Sequence, residues 1–162
     1  MRLIATEEAW TIPEVAAELK KVAAGPSQSL DKLLVGGIYT VAPGEPGYDA
    51  FPFLGGLLDA EDTRLRQMDE YEVDMQLLAL TAPGVQMFDA DTAHELAVLA
   101  NDRLAELTHK YPKRFAGLAS FAPHSPKRAA TEMERAIKDL KLNGFMVNSH
   151  TNDEYLDDPK FW

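Results

Sequence analysis

Cysteine is absent from this chain. That excludes disulfides, a thiol nucleophile and any thiolate-bound metal, and it fits a reducing compartment. Positive charge is scarce: Lys and Arg number 16 against 26 Asp and Glu, for a net charge of −10. No basic stripe interrupts the acidity, so neither nucleic acid nor an anionic membrane is an expected partner. No run approaches the ~20 apolar residues of a membrane span, and the first residues lack the basic-then-apolar pattern of a signal peptide. The expectation is a cytoplasmic protein. Several catalytic signatures are also missing: a Gly-x-Ser-x-Gly elbow, a Walker loop, a Gly-x-Gly-x-x-Gly after a strand and a His-Glu-x-x-His pair. Serine hydrolysis and nucleotide binding are thereby disfavoured.

What is present is a soluble globular composition, 46% hydrophobic and 26% charged over 162 residues, which is enough for one domain with a real core. Leu3, Ile4 and Ala5 form a short apolar run of the kind a buried parallel strand shows. Thr11 and Pro13 then cap and open a helix through Val15, Leu19 and Val22, ended by Gly25-Pro26. The stretch 27–56 has no clear period, four Gly- or Pro-Gly pairs and several aromatics, and reads as a long loop, either a surface excursion or a lid or subunit contact. From Asp59, a plausible N-cap, the pattern becomes regular. A helix to about Glu72 precedes a strand over Val73–Leu80. A helix opened by Thr92 and Glu95 at capping-box spacing precedes a strand over Phe115–Phe121. A helix from Ser125-Pro126 precedes a strand over Gly144–Asn148, and Asp158-Pro159 looks like the start of a further helix. Alternation of this kind implies a parallel sheet. Four such units make the N-terminal half of a (β/α)8 TIM barrel, with residues 1–162 as one half of a single domain belonging to a longer protein. A small four-stranded α/β domain closing its own core is the structural alternative.

The chemistry-bearing side chains fall at strand ends, where α/β folds bind ligands. Glu7 and Glu8 close the first strand. Neighbours on an extended segment point to opposite sides, so one of the two faces the barrel mouth. Thr81, Pro83 and Gly84 follow the second strand; Thr81 offers a hydroxyl, and Gly84 lets backbone approach a ligand. His124 follows the third strand and His150 the fourth, where a neutral imidazole can bind a metal or move protons. His124 directly precedes a helix start, where packing is its ordinary role. His150 lies among polar neighbours in Asn148-Ser149-His150-Thr151-Asn152.

Four segments in order resemble the amidohydrolase-related (amidohydrolase 2) decarboxylases. They are Ile4-Ala5-Thr6-Glu7-Glu8-Ala9-Trp10; Leu78-Ala79-Leu80-Thr81-Ala82-Pro83-Gly84-Val85-Gln86; Ala100-Asn101-Asp102 with Tyr111-Pro112-Lys113-Arg114-Phe115-Ala116-Gly117; and Asn148-Ser149-His150-Thr151 with Tyr155-Leu156-Asp157-Asp158. The resemblance implies a (β/α)8 barrel binding one divalent metal ion (manganese, zinc or magnesium), with Glu7 as the first-strand ligand. It places Trp10, Thr81, Pro83, Gly84 and His150 around an aromatic substrate. It puts the remaining ligands and the proton donor beyond Trp162, so that no catalytic proton donor is expected in this half and the segment alone is expected to be inactive. The implied reaction is nonoxidative decarboxylation of a hydroxylated aromatic acid by a homodimer or homotetramer.

Two other readings compete. A metal-dependent hydrolase of a lactone or amide is one, but the opening strand lacks the His-x-His pair that such sites carry, with Ala9 at the second histidine's position. A non-catalytic α/β assembly domain is the other, and it predicts no bound divalent ion.

Overall fold

In the computed structural model, residues 1–26, 30–40 and 53–161 are described. Four parallel strands make one sheet in sequence order: β1 (Ile4–Trp10), β2 (Met75–Leu80), β3 (Phe115–Ala119) and β4 (Gly144–Phe145). Between them run α1 (Pro13–Ala24), α2 (Leu30–Tyr39), α3 (Phe53–Leu58) and α4 (Asp62–Glu70) before β2, α5 (Ala90–Lys110) before β3, and α6 (Pro126–Lys138) before β4. A small antiparallel hairpin, β5 (His150–Thr151) with β6 (Glu154–Tyr155), follows β4, and a single 3-10 turn spans Pro159–Phe161.

The two faces of the sheet differ. Leu78, Leu80, Phe115 and Ala119 are buried against the helices, together with Leu104 of α5 and Ala136 of α6. A Cβ built at Gly117 would lie 2.8 Å from the Leu104 side chain, so the third strand needs glycine there to let α5 pack down. The other face is more open: Ile4 is 46% exposed and Leu77 and Leu118 are half-buried. An in-order parallel sheet covered by helices on one face is the arrangement of half a (β/α)8 barrel, whose interior is the open face.

The helix ends show which residues do the capping. Asp89 caps α5, accepting from the backbone N–H groups of Asp91 and Thr92 at 3.1 Å each and from the Thr92 hydroxyl at 2.6 Å. The expected Thr92–Glu95 box is therefore displaced: the helix starts a turn earlier than those residues propose, and Thr92 donates to the cap. At α4 the cap position is Glu61 and not the expected Asp59, which sits two residues earlier and still accepts the N–H of Glu61 at 3.2 Å and of Thr63 at 2.9 Å. At α1, Ile12 holds the cap position without a side-chain bond, and Pro13 fills the first turn, so Thr11 is not the cap.

The expected loop over 27–56 needs correction. Within its described part lie two helices, α2 and α3, and Val35 and Tyr39 of α2 are buried in the core. Residues 27–29 and 41–52 lie outside the described residues, so the aromatics Tyr48 and Phe51 are not placed.

Candidate metal and substrate site

The strand register decides which glutamate faces the barrel interior. β1 pairs with β2 as Ala5 with Gln76 and then Glu8 with Leu78, so three steps on β1 match two on β2. The extra residue makes a β-bulge at Thr6-Glu7, and Glu7 takes a left-handed backbone, φ 65°. A bulge of this kind reverses the alternation beyond it. Ile4, before the bulge, is on the inner face opposite Met75. After it, Glu8 and Trp10 fall on the helix face with Leu78 and Leu80, and Ala9 is on the inner face with Ala79. Glu7 is thereby turned to the inner side at the C-terminal end of the strand.

There it lines a cavity of about 200 Å³ together with Ala9, Ala79, Thr81, Ala82, Met146 and Asn148. Glu7 is exposed, and no cation pairs with it among the described residues. Glu8 is used elsewhere. Its Oε2 lies 3.7 Å from the guanidinium of Arg64, a buried side chain of α4. Arg64 also donates to the Ala9 carbonyl at 2.7 Å, to the Gly56 carbonyl at 3.2 Å and to Gln76 Oε1 at 3.1 Å. Burial lowers the pKa of Arg64, and the charges of Glu8 and Asp59 act in the other direction. One member of the pair is thus a structural partner on the helix side, and the other is a free carboxylate in the mouth.

The β2 end forms the opposite wall. Its strand closes with the Thr81 N–H donating to the Trp10 carbonyl at 2.9 Å, and Gly84 N–H donates to the Thr81 carbonyl at 2.8 Å. Gly84 has φ +61°, a conformation L side chains rarely adopt, so glycine is needed for this turn. Pro83 and Gly84 are both buried. From the β4 end, Asn148 Nδ2 reaches across to the Pro83 carbonyl at 3.3 Å and to Gln86 Oε1.

The candidates from sequence separate into two groups. Glu7 and Thr81 share the cavity, and Gly84 sits in the turn beside it, lining an adjoining crevice with Gln86 and Asn148. Trp10 and His150 do not line the cavity. Trp10 is 4% exposed and packs on the helix side of the sheet, because the bulge gives it the parity of Glu8. His150 is held by Asp31 of α2, Nε2 to Oδ2 2.8 Å, and by Ser149 Oγ at 3.0 Å from Nδ1. His124 also lies apart. Neither ring nitrogen finds a hydrogen bond of good geometry, and burial lowers its pKa, with backbone groups of Gln86 and Phe88 offsetting part of the shift. Asn148 and Met146 also line this candidate cavity, and sequence reading did not single them out. The signal was there: Gly144 pairs with inward Leu118, so every second residue onward, Met146 and Asn148, shares the inner face.

A divalent ion fits this corner as far as the chain supplies it. Glu7 offers a hard oxygen donor with no competing cation among the described residues, and the Thr81 hydroxyl adds a neutral oxygen in the same cavity. Among the described residues, no group of three His, Asp or Glu could hold a metal ion. Among the described residues this corner therefore offers one candidate charged donor, Glu7. No helix among the described residues is long and apolar enough to cross a membrane.

Comparison with known proteins bears on the family and the fold. The amidohydrolase family profile (Amidohydro_2) matches residues 55–162. The gamma-resorcylate decarboxylase of Polaromonas sp. (strain JS666 / ATCC BAA-500) is 41% identical over 113 residues, covering 65% of this chain and 35% of that protein. The crystal structure of 5-carboxyvanillate decarboxylase from Sphingomonas paucimobilis superposes with a TM-score of 0.90 at 49% identity, covering 99% of this chain and 46% of that one. The enzyme of the same name from Novosphingobium aromaticivorans, solved with bound manganese and 3-methoxy-4-hydroxy-5-nitrobenzoic acid, superposes at 0.89 with 37% identity over 99% of this chain and 45% of that one. The chain spans about a third of the length of the curated relatives and just under half of the solved ones. With the profile covering most of its length and the half-barrel fold shared throughout, this chain belongs to the amidohydrolase family.

Proposed function

We propose that the full-length protein is a metal-dependent, nonoxidative decarboxylase of a hydroxylated aromatic carboxylic acid, with this chain as the N-terminal half of its barrel domain. The observation that carries the reading is Glu7, turned by the bulge into a strand-end cavity with no cation beside it among the described residues. A carboxylate left unpaired in a mouth of apolar and neutral walls is suited to a divalent cation. Manganese bound in related structures supports that choice.

In this reading Glu7 anchors the ion. When bound, a divalent ion supplies a Lewis acid and a template for the substrate's carboxylate and neighbouring phenolic oxygen. Thr81 and the Ala82–Gly84 turn form one wall of the ring pocket, and Met146 the other. His150, fixed by Asp31, holds the β4 end and α2 together beside the pocket, and Trp10 supports β1 from behind. The reaction needs a proton delivered to the ring carbon that bears the carboxylate, after which carbon dioxide leaves and aromaticity returns. The general acid for that step is expected outside these residues. The hydrolase alternative is weaker, because Ala9 follows Glu7 on the inner face where a second first-strand ligand would sit.

The test is carbon dioxide release from 2,6-dihydroxybenzoate and 5-carboxyvanillate by the full-length, manganese-loaded protein, before and after chelation. Release that stops on chelation and returns with manganese is expected; lactone ring opening without decarboxylation would overturn the assignment. We also infer a cytoplasmic homo-oligomer, dimer or tetramer, with the 27–56 segment in the subunit contact. Deleting Pro43–Tyr48 and measuring mass by light scattering checks this, since an unchanged oligomer removes that role.

A further inference from the structure

We propose that Asn148 is the specificity residue of this site, and that its Oδ1 accepts a hydrogen bond from a ring hydroxyl of the substrate. The inference rests on the decarboxylase reading above and names which group reads the ring. Three observations lead to it. Asn148 lines both the Glu7 cavity and the adjoining crevice between the β2 turn and β4. Its amide orientation is fixed: Nδ2 meets the Pro83 carbonyl, which can only accept, and Gln86 Oε1. Both amide protons are therefore spent on the β2 turn, and Oδ1 is left with no hydrogen-bond donor among the described residues. Oδ1 is also absent from the fully buried orphaned polar atoms, so it stays accessible.

The result is a fixed acceptor at the mouth with no donor capacity of its own. Such a group welcomes an O–H and gives nothing to a methoxy or a carbonyl at the same place. The turn that holds it depends on Gly84, where a Cβ would stand 3.6 Å from Asn148 Nδ2 on a backbone with φ +61°. Gln86 is itself buried, so the amide partner of Asn148 is held within the fold. A site that is built to pair a substrate hydroxyl discriminates against the analogue lacking it, because the acceptor is then left dry and unpaired.

The experiment compares binding of 2-nitroresorcinol and 2-nitrophenol, which differ by one ring hydroxyl, to the full-length manganese-loaded protein by calorimetry. The wild type is expected to bind the two-hydroxyl probe roughly 5- to 10-fold more tightly, the range of one neutral hydrogen bond. Asn148→Ala and the volume-keeping Asn148→Leu should each narrow that gap to less than about twofold, with manganese content unchanged. A gap that persists in either variant overturns the proposal. So does a wild type that binds both probes equally, which needs no variant to fold. A protein that binds neither probe fails the decarboxylase reading itself, and with it this inference.

Discussion

Replacing Glu7 by glycine should stabilise the fold while removing the metal site. Glu7 holds φ 65° inside β1. A left-handed conformation costs an L-residue about 1–2 kcal/mol. Glycine removes that cost but gives back about 0.5–1 kcal/mol through the larger freedom of its unfolded chain. The net expectation is a gain of roughly 0.5–1 kcal/mol, or about 1 °C in Tm for a full-length protein about twice as long as this chain. Glu7→Ala relieves nothing, because its Cβ meets the same backbone strain, and Glu7→Gln keeps both strain and fold. Thermal unfolding of the metal-free full-length protein measures the first effect, and manganese titration by calorimetry measures the second. The reasoning is refuted if Glu7→Gly melts below Glu7→Ala, since a regular strand without a bulge would favour alanine. It is refuted equally if the glycine variant binds manganese as the wild type does.

Three further outcomes follow from the packing. Asn101 is buried between Ser120, whose N–H and carbonyl it pairs at 2.8 Å each, and Glu132 at 2.7 Å. Asn101→Ala leaves the N–H and carbonyl of Ser120 unpaired, while Glu132 keeps Arg135, and should cost about 2–3 kcal/mol in a urea titration. Gly117→Ala drives a methyl into Leu104 and Leu142 and should cost about 1–3 kcal/mol by the same assay. The pKa of His124 is lowered from 6.5, chiefly by burial, so the unfolded chain takes up its proton first. Its contribution to stability is complete above the unfolded value and is lost as pH falls below it. His124→Phe should flatten the fall in urea midpoint on acidification from pH 7.5 to about pH 5.

The alternating order of strands and helices was legible from hydrophobic period and turn residues, because parallel strands buried on the helix side must be apolar and helices must carry an apolar stripe. Glu7 was legible only as one of a pair. What chooses between the two glutamates is a bulge carried by Thr6 and Glu7, neither of them the glycine or asparagine that would announce a left-handed residue. The same hidden step moved Trp10 to the core side, because a one-residue slip exchanges every later side chain between faces. Helix α2 was concealed for another reason. Gly36 and Gly37 argue against a helix by propensity, but burial of Val35 and Tyr39 against the rest of the core overrides it. The role of Asp31 as partner to His150 was out of reach, since 119 residues separate them and only the fold brings them to 2.8 Å. Asn148 could have been found by counting in twos along the expected Gly144–Asn148 strand, although the observed β4 ends at Phe145.

The bulge singles out Glu7, and not Glu8, as the expected metal ligand. The most direct measurement is anomalous diffraction at the manganese edge from crystals of the full-length protein. A peak is expected about 2.2 Å from a carboxylate oxygen of Glu7, with Glu8 still against Arg64. A peak coordinated by Glu8, or one with Glu7 outside bonding distance, would contradict it.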